Sequence, residues 1–91
     1  MSGITRETVL INKLGLHARA AGKLVATASG FDAEIFLHKG DKRVNAKSIM
    51  GILMLAAACG TPLTIEAQGS DAEEACTALI ALIEGRFGES E

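Results

Sequence analysis

The residues most able to do chemistry lie at the start of a predicted helix. His17 and Arg19 are two residues apart, where the loop Lys13-Leu14-Gly15-Leu16 leads into a segment rich in helix-forming residues. The first helical position lacks Ser, Thr, Asp or Asn, so the first amides have no obvious side-chain acceptor and carry a partial positive charge. Arg19 and Lys23 add cations that an anion would offset. This pattern favours an anion site at His17, although a structural or simply exposed histidine also fits these residues.

Ser48 precedes a strongly apolar segment and has two interpretations. Its simplest role is the N-cap of the second helix, with the hydroxyl accepting a hydrogen bond from a first-turn amide. The alternative is a phosphorylation site next to Lys47 and an exposed Ile49 and Met50. The residues alone leave both roles open.

The helix that follows Ser48 carries apolar residues on more of its circumference than one buried stripe requires. Ile49, Met50 and Leu53 either belong to a short, well-buried helix or form an exposed docking patch, for which methionine is suited. Neither interpretation is preferred at this point.

The elements that must position these residues follow from hydrophobic periodicity and turn signals. The order is βαββαβα, which predicts a two-layer, open-faced α/β sandwich: a four-stranded, largely antiparallel sheet with three helices on one face. The fourth strand is expected to be an edge or half-buried strand. The strands are predicted at 4–12, 33–38, 43–45 and 63–67, and the helices at 18–28, at 49–57 and from 71 to Gly85.

Local signals predict how the helices begin and end. Gly30 is expected to end the first helix in the left-handed conformation. Ser70 and Glu73 have the spacing of a capping box at the start of the last helix. Gly85 is expected to end that helix, and the acidic segment 88–91 is expected to be frayed.

Composition limits the class of protein. The chain has 91 residues, a net charge of −2, three Phe and no Tyr or Trp, which argues against a nucleic-acid-binding protein. No stretch has the length of a signal peptide or a membrane span. We therefore expect one domain over residues 1–91, monomeric and cytoplasmic.

The cysteines and histidines give no metal pattern. Cys59 and Cys76 are expected to be reduced and buried, and their spacing to His17 or His38 fits no zinc site. His38 is expected to be exposed on an outward-facing strand position. No metal or cofactor is predicted.

Two motifs resemble those of a known family. Gly15-Leu16-His17-Ala18-Arg19 resembles the active-site signature of the HPr family, the histidine-containing phosphocarriers of the phosphotransferase system. Ala46-Lys47-Ser48-Ile49-Met50-Gly51 resembles the family's regulatory-serine signature, at the spacing from the histidine that the family shows. The resemblance covers essentially the whole chain.

The resemblance implies a function and a set of site residues. His17 would accept a phosphoryl group on Nδ1 from phosphorylated Enzyme I and pass it to an Enzyme IIA-type domain, without turnover on its own. Arg19 would contact the phosphoryl group, whose oxygens the amides of Ala18 and Arg19 would bind. Ser48 would be the site that an HPr kinase phosphorylates in some members. Ile49, Met50 and Leu53 fall where the family keeps its apolar docking surface.

Two positions depart from the family pattern. Ala20 replaces a proline that many members have, and we expect little loss because alanine is a good helix former. Leu14 replaces a small polar residue, so a hydrogen bond that steadies the imidazole is expected to be missing. The sugar and nitrogen-related branches stay open, as does a non-catalytic module that binds partners through Ile49, Met50 and Leu53.

Overall fold

The computed structural model describes residues 3–91, so the first two residues of the predicted domain lie outside it. Four strands form one antiparallel sheet in the order β1-β4-β2-β3. Three helices cover one face, which confirms the predicted order and architecture. The elements are β1 (Gly3–Val9), α1 (Ala18–Ser29), β2 (Glu34–Lys39), β3 (Lys42–Asn45), α2 (Ile49–Met54), β4 (Pro62–Gln68) and α3 (Ala72–Glu84), followed by a short 3-10 turn (Arg86–Gly88).

Strand β4 is a central strand of the sheet, paired with both β1 and β2. It is half-buried, as one of the two alternatives predicted, and it is not an edge. Leu63, Ile65 and Ala67 face the helices and are buried, whereas Thr64 and Glu66 face away from them. This alternation follows from the two-residue period of a strand.

Helix α2 ends three residues earlier than predicted. Its last residue is Met54, and Ala56 then adopts a left-handed conformation with φ of 50°. The chain therefore leaves the helix before Cys59, which is exposed and not buried as expected. Cys76 is buried in α3 as predicted, and both cysteines are free thiols.

Two predicted helix-end signals are wrong. Gly30 has φ of −77° and ψ of −4°, which is right-handed. The residue preceding α3 is Asp71, and no side chain there caps the helix as the Ser70–Glu73 box would. The Asp71 carboxylate instead accepts from the amides of Asp32 and Ala33, at 2.9 and 2.8 Å. The bond from the Asp32 amide, and then that from the Ala33 amide, lowers the pKa of Asp71. Both bonds join the start of α3 to the start of β2.

The C-terminal segment is ordered against the start of α1, where a frayed tail was expected. Gly85 ends α3 as predicted, and the chain then reverses through the positive φ angles of Arg86, Phe87 and Gly88. Phe87 is buried, and its carbonyl accepts from Lys23 Nζ at 2.6 Å. Burial of this aromatic ring anchors the tail.

No helix among residues 3–91 is long and apolar enough to cross a membrane.

Candidate functional site

His17 is itself the N-cap of helix α1. Its backbone is extended, with φ of −74° and ψ of 177°, and its Nδ1 accepts a hydrogen bond from the Arg19 amide at 3.3 Å. The expectation that the first amides have no side-chain partner was therefore wrong. Histidine is not among the usual N-cap residues, so a search for Ser, Thr, Asp or Asn did not identify this cap.

The other ring nitrogen of His17, Nε2, is hydrogen-bonded to the carboxylate of Glu89. Because an amide can only donate, Nδ1 must carry a lone pair, and the ring proton must lie on Nε2. The His17 side chain is 27% exposed and that of Glu89 is 14% exposed. The structure thus presents a neutral imidazole whose Nδ1 lone pair faces the start of a helix.

Buried Asn12 holds Glu89 in place. Its Nδ2 donates to Glu89 Oε1 and to the Gly15 carbonyl, both at 2.9 Å. The bond from Asn12 and then that from His17 lower the pKa of Glu89, so this carboxylate stays ionised. Leu14 is exposed and gives the ring no polar partner, yet Glu89 supplies the steadying hydrogen bond that was expected to be missing.

The loop before His17 is fixed against the segment after α2. Gly15 has φ of +65°, and a Cβ built on it would lie 2.5 Å from the Ala57 carbonyl oxygen. That same oxygen accepts from the Leu16 amide at 2.9 Å. Only glycine allows this close approach. Gly15 therefore fixes the position of the loop that leads into His17.

The His17 site opens to solvent through a cavity of about 270 Å³ that Leu14, Arg19 and Glu89 also line. Arg19 is exposed and has no ion-pair partner among residues 3–91. Lys23, the other cation expected here, is bound to the Phe87 carbonyl. Ala18 is exposed at the first helical position, next to His17. In the part of the chain described, no three His, Cys, Asp or Glu side chains form a group able to hold a metal.

Ser48 is the N-cap of α2, the simpler of its two predicted roles. Its Oγ accepts from the Gly51 amide at 3.1 Å. Lys47 points elsewhere, because its Nζ donates to the Phe31 carbonyl at 2.7 Å. Helices α1 and α2 pack against each other, so His17 and Ser48 begin two helices in contact.

The predicted docking residues divide into two groups. Ile49 and Met50 are 40% and 65% exposed, whereas Leu53 is half-buried and packs against the core. Met54 is 70% exposed and was missed, although it follows Met50 by four residues and so shares its helix face. Ile49, Met50 and Met54 form what we call the apolar patch.

His38 lies on the opposite face of the sheet from the helices and is less exposed than expected. Its Nε2 is 2.7 Å from Glu66 Oε1, and its side chain is 31% exposed. Arg43 Nε donates to the same oxygen at 3.2 Å. The neighbouring strands β4, β2 and β3 thus bring a second histidine, glutamate and arginine together.

Sequence reasoning missed Asn12 and Glu89 as members of the His17 site. The sequence pattern predicts Asn12 as the end of a strand and Glu89 as part of a frayed tail. A polar residue five positions before His17 was the only available signal for Asn12. Nothing local predicted that Glu89 would return over 72 residues to the histidine.

The sequence is also similar to known proteins. Residues 4–85 match the family model described as the PTS HPr component phosphorylation site. The phosphocarrier protein HPr of Cupriavidus necator is 50% identical over 88 residues, covering 97% of this chain and 99% of the relative. The phosphocarrier protein NPr of Shewanella violacea is 44% identical over 90 residues, covering 99% of each chain.

Solved structures agree as well. The crystal structure of HPr-C-His from Thermoanaerobacter tengcongensis matches with a TM-score of 0.91 and 47% identity, over 100% of both chains. The family match covers Asn12, His17 and Arg19 and ends before Glu89, whereas the structural match extends over the whole chain. The chain belongs to the HPr family of phosphocarrier proteins of the phosphotransferase system.

Proposed function

We propose that His17 accepts a phosphoryl group on Nδ1 from phosphorylated Enzyme I and passes it to an Enzyme IIA-type domain. The observation that carries this proposal is the Nδ1 lone pair, which faces the N-terminus of α1 beside the exposed Arg19. Nδ1 is a nucleophile that needs no deprotonation, because the ring proton lies on Nε2.

The transfer step uses groups already in place. Nδ1 attacks phosphorus, and the bond from phosphorus to the donor breaks with its electron pair remaining on the donor. The Arg19 amide, at 3.3 Å from Nδ1, is released to donate to a phosphoryl oxygen, together with the amide of Ala18 and the Arg19 guanidinium. Such donors stabilise the charge on the oxygens of a loose transition state. The protein acts as a carrier and has no turnover alone.

Docking of both partners is assigned to the helix α2 surface. Ile49 and Met50 are exposed, and Leu53 is half-buried beside them and packs against the core. Met54 extends this surface by one helical turn. Single-face apolar exposure of this kind is typical of a protein-binding site.

Regulation at Ser48 is the second part of the proposal. An HPr kinase would place about two negative charges at the start of α2, beside the apolar patch. We expect Ser48→Asp to slow phosphoryl transfer from Enzyme I, with Ser70→Asp as the control that adds the same charge at the start of α3. An unchanged rate for Ser48→Asp would contradict the regulatory role.

The proposal is tested by incubating the protein with phosphoenolpyruvate and Enzyme I. The wild type and His38→Ala should gain an acid-labile phosphate, and His17→Ala should gain none. Absence of label on the wild type would favour the alternative, a regulatory module that binds partners through Ile49, Met50 and Leu53.

A second assay identifies the Enzyme IIA domain that accepts the phosphoryl group. Relatives carry the names HPr and NPr, so both the sugar and the nitrogen-related branch are candidates. The Enzyme IIA domain that removes phosphate fastest identifies the branch. We propose a cytoplasmic monomer that works without a cofactor.

A further inference from the structure

We propose that Glu89 is a positioning residue for phosphoryl transfer, holding the Nε2 proton of His17 so that Nδ1 keeps its lone pair toward helix α1. This inference rests on the proposed function and adds a residue from the C-terminal tail to it.

The ring is held from both nitrogens. The Arg19 amide donates to Nδ1, and Nε2 donates to Glu89. A flip of the ring by 180° would put Cδ2 in the place of Nδ1 and Cε1 in the place of Nε2, so both hydrogen bonds would be lost. Together they select one tautomer and one orientation, with Nδ1 toward the helix amides.

Buried Asn12 holds the carboxylate of Glu89. Asn12 is completely buried, and its Nδ2 uses both hydrogens, one on Glu89 Oε1 and one on the Gly15 carbonyl. One carboxylate oxygen of Glu89 therefore serves Asn12 and the other serves His17. The buried Phe87, two residues earlier, anchors the segment that carries Glu89.

The charge balance gives Glu89 a role during the reaction. When the neutral Nδ1 forms its bond to phosphorus, the imidazole gains positive charge while the Nε2 proton stays on the ring. A carboxylate hydrogen-bonded to that proton stabilises the charged ring. When the phosphoryl group leaves for the acceptor, the N–P electron pair returns to Nδ1, and the ring becomes neutral again with its proton still on Nε2.

The first test needs no partner protein. At alkaline pH, where imidazoles are neutral, the 15N shifts of His17 in the wild type should be those of an Nε2–H tautomer with a free Nδ1. In Glu89→Gln the single carbonyl oxygen cannot serve both Asn12 and His17, so the two 15N shifts should move toward each other. Glu84→Gln, an exposed glutamate of α3, removes the same charge and should leave the shifts unchanged. Identical shifts in the wild type and Glu89→Gln would overturn the proposal.

The second test measures transfer from Enzyme I. Glu89→Gln should lower the maximal rate roughly tenfold, the effect of one charge-assisted hydrogen bond, while KM for Enzyme I stays within error. Glu89→Asp, which retains the charge, should recover part of the rate. An equal rate in Glu89→Gln, or a change confined to KM, would refute positioning by Glu89. Failure of the wild type to become labelled would instead refute the proposed function, so the two failures are distinguishable.

Discussion

Residues 3–91 form two clusters of the same three residue types, and the clusters differ in what surrounds them. His17, Glu89 and Arg19 meet at the start of helix α1, whereas His38, Glu66 and Arg43 meet on the open face of the sheet. In both clusters the histidine Nε2 contacts a glutamate, and the histidine side chains are 27% and 31% exposed. A histidine–glutamate pair is therefore not enough to mark a functional site.

The difference lies on the other side of each ring and in the arginine. Nδ1 of His17 faces an amide at a helix N-terminus, where the aligned peptide dipoles favour an anion. Arg43 is committed to Glu66 and to the Phe36 ring, 3.7 Å away, whereas Arg19 has no ion pair within residues 3–91. A helix N-terminus that faces Nδ1 and an arginine without an ion pair distinguish the first cluster.

The largest difference in transfer rate is expected between variants that lack one arginine or the other. Arg19→Ala should slow phosphoryl transfer on the order of 100-fold, because one preorganised donor to the phosphoryl oxygens is lost. Arg43→Ala should leave the rate unchanged. Rapid-quench measurement of labelling from Enzyme I compares the two, and equal rates for both variants would remove the distinction between the clusters.

A glycine two residues from each histidine, Gly15 before His17 and Gly40 after His38, offers the next comparison. Gly15 and Gly40 both have positive φ, but only at Gly15 would an added Cβ meet another atom, the Ala57 oxygen. We expect Gly15→Ala to lower the free energy of unfolding by roughly 2 kcal/mol and to reduce transfer. Gly40→Ala should cost roughly 1 kcal/mol, from the left-handed conformation alone, without affecting transfer. Urea unfolding measures both, and equal losses would show that the Ala57 contact does not hold the loop.

The smallest effect is expected on the pH dependence of stability, through the cluster of His38, Glu66 and Arg43. Hydrogen bonds from Arg43 and then His38 lower the pKa of Glu66 below its ordinary value of 4.5. The contribution of ionised Glu66 to stability is therefore full above pH 4.5 and is lost as the pH falls through the lower folded pKa. Glu66→Gln should reduce the free energy of unfolding by less than about 1 kcal/mol at neutral pH. Unfolding curves should show this difference shrinking on acidification; a difference that grows would contradict the sign.

The fold was largely predictable because the spacing of apolar residues indicates which face of a strand or helix is buried. The alternation of β4 and the apolar spacing of α3 identified these elements, and the motif around His17 identified the candidate site. Helix ends were less predictable where a partner came from elsewhere in the chain. Asp71 accepts from the amides of Asp32 and Ala33, a contact that no local capping rule contains.

The least predictable part of the site is its C-terminal half. Residues 88–91 are acidic and lack periodicity, which is typical of a frayed tail. Their order depends on Phe87, whose burial is a tertiary property, and on a hydrogen bond to Asn12 across 77 residues. Sequence patterns describe neighbours within a turn or a strand, so they could place His17 and not its partner Glu89.

The central claim is that the helix-facing nitrogen of His17 carries the phosphoryl group. Its most direct test is to label the imidazole nitrogens with 15N, phosphorylate the protein with phosphoenolpyruvate and Enzyme I, and record 31P–15N couplings. We expect one coupling, to Nδ1 of His17, and none to His38. A coupling to Nε2 of His17, or to either nitrogen of His38, would contradict it.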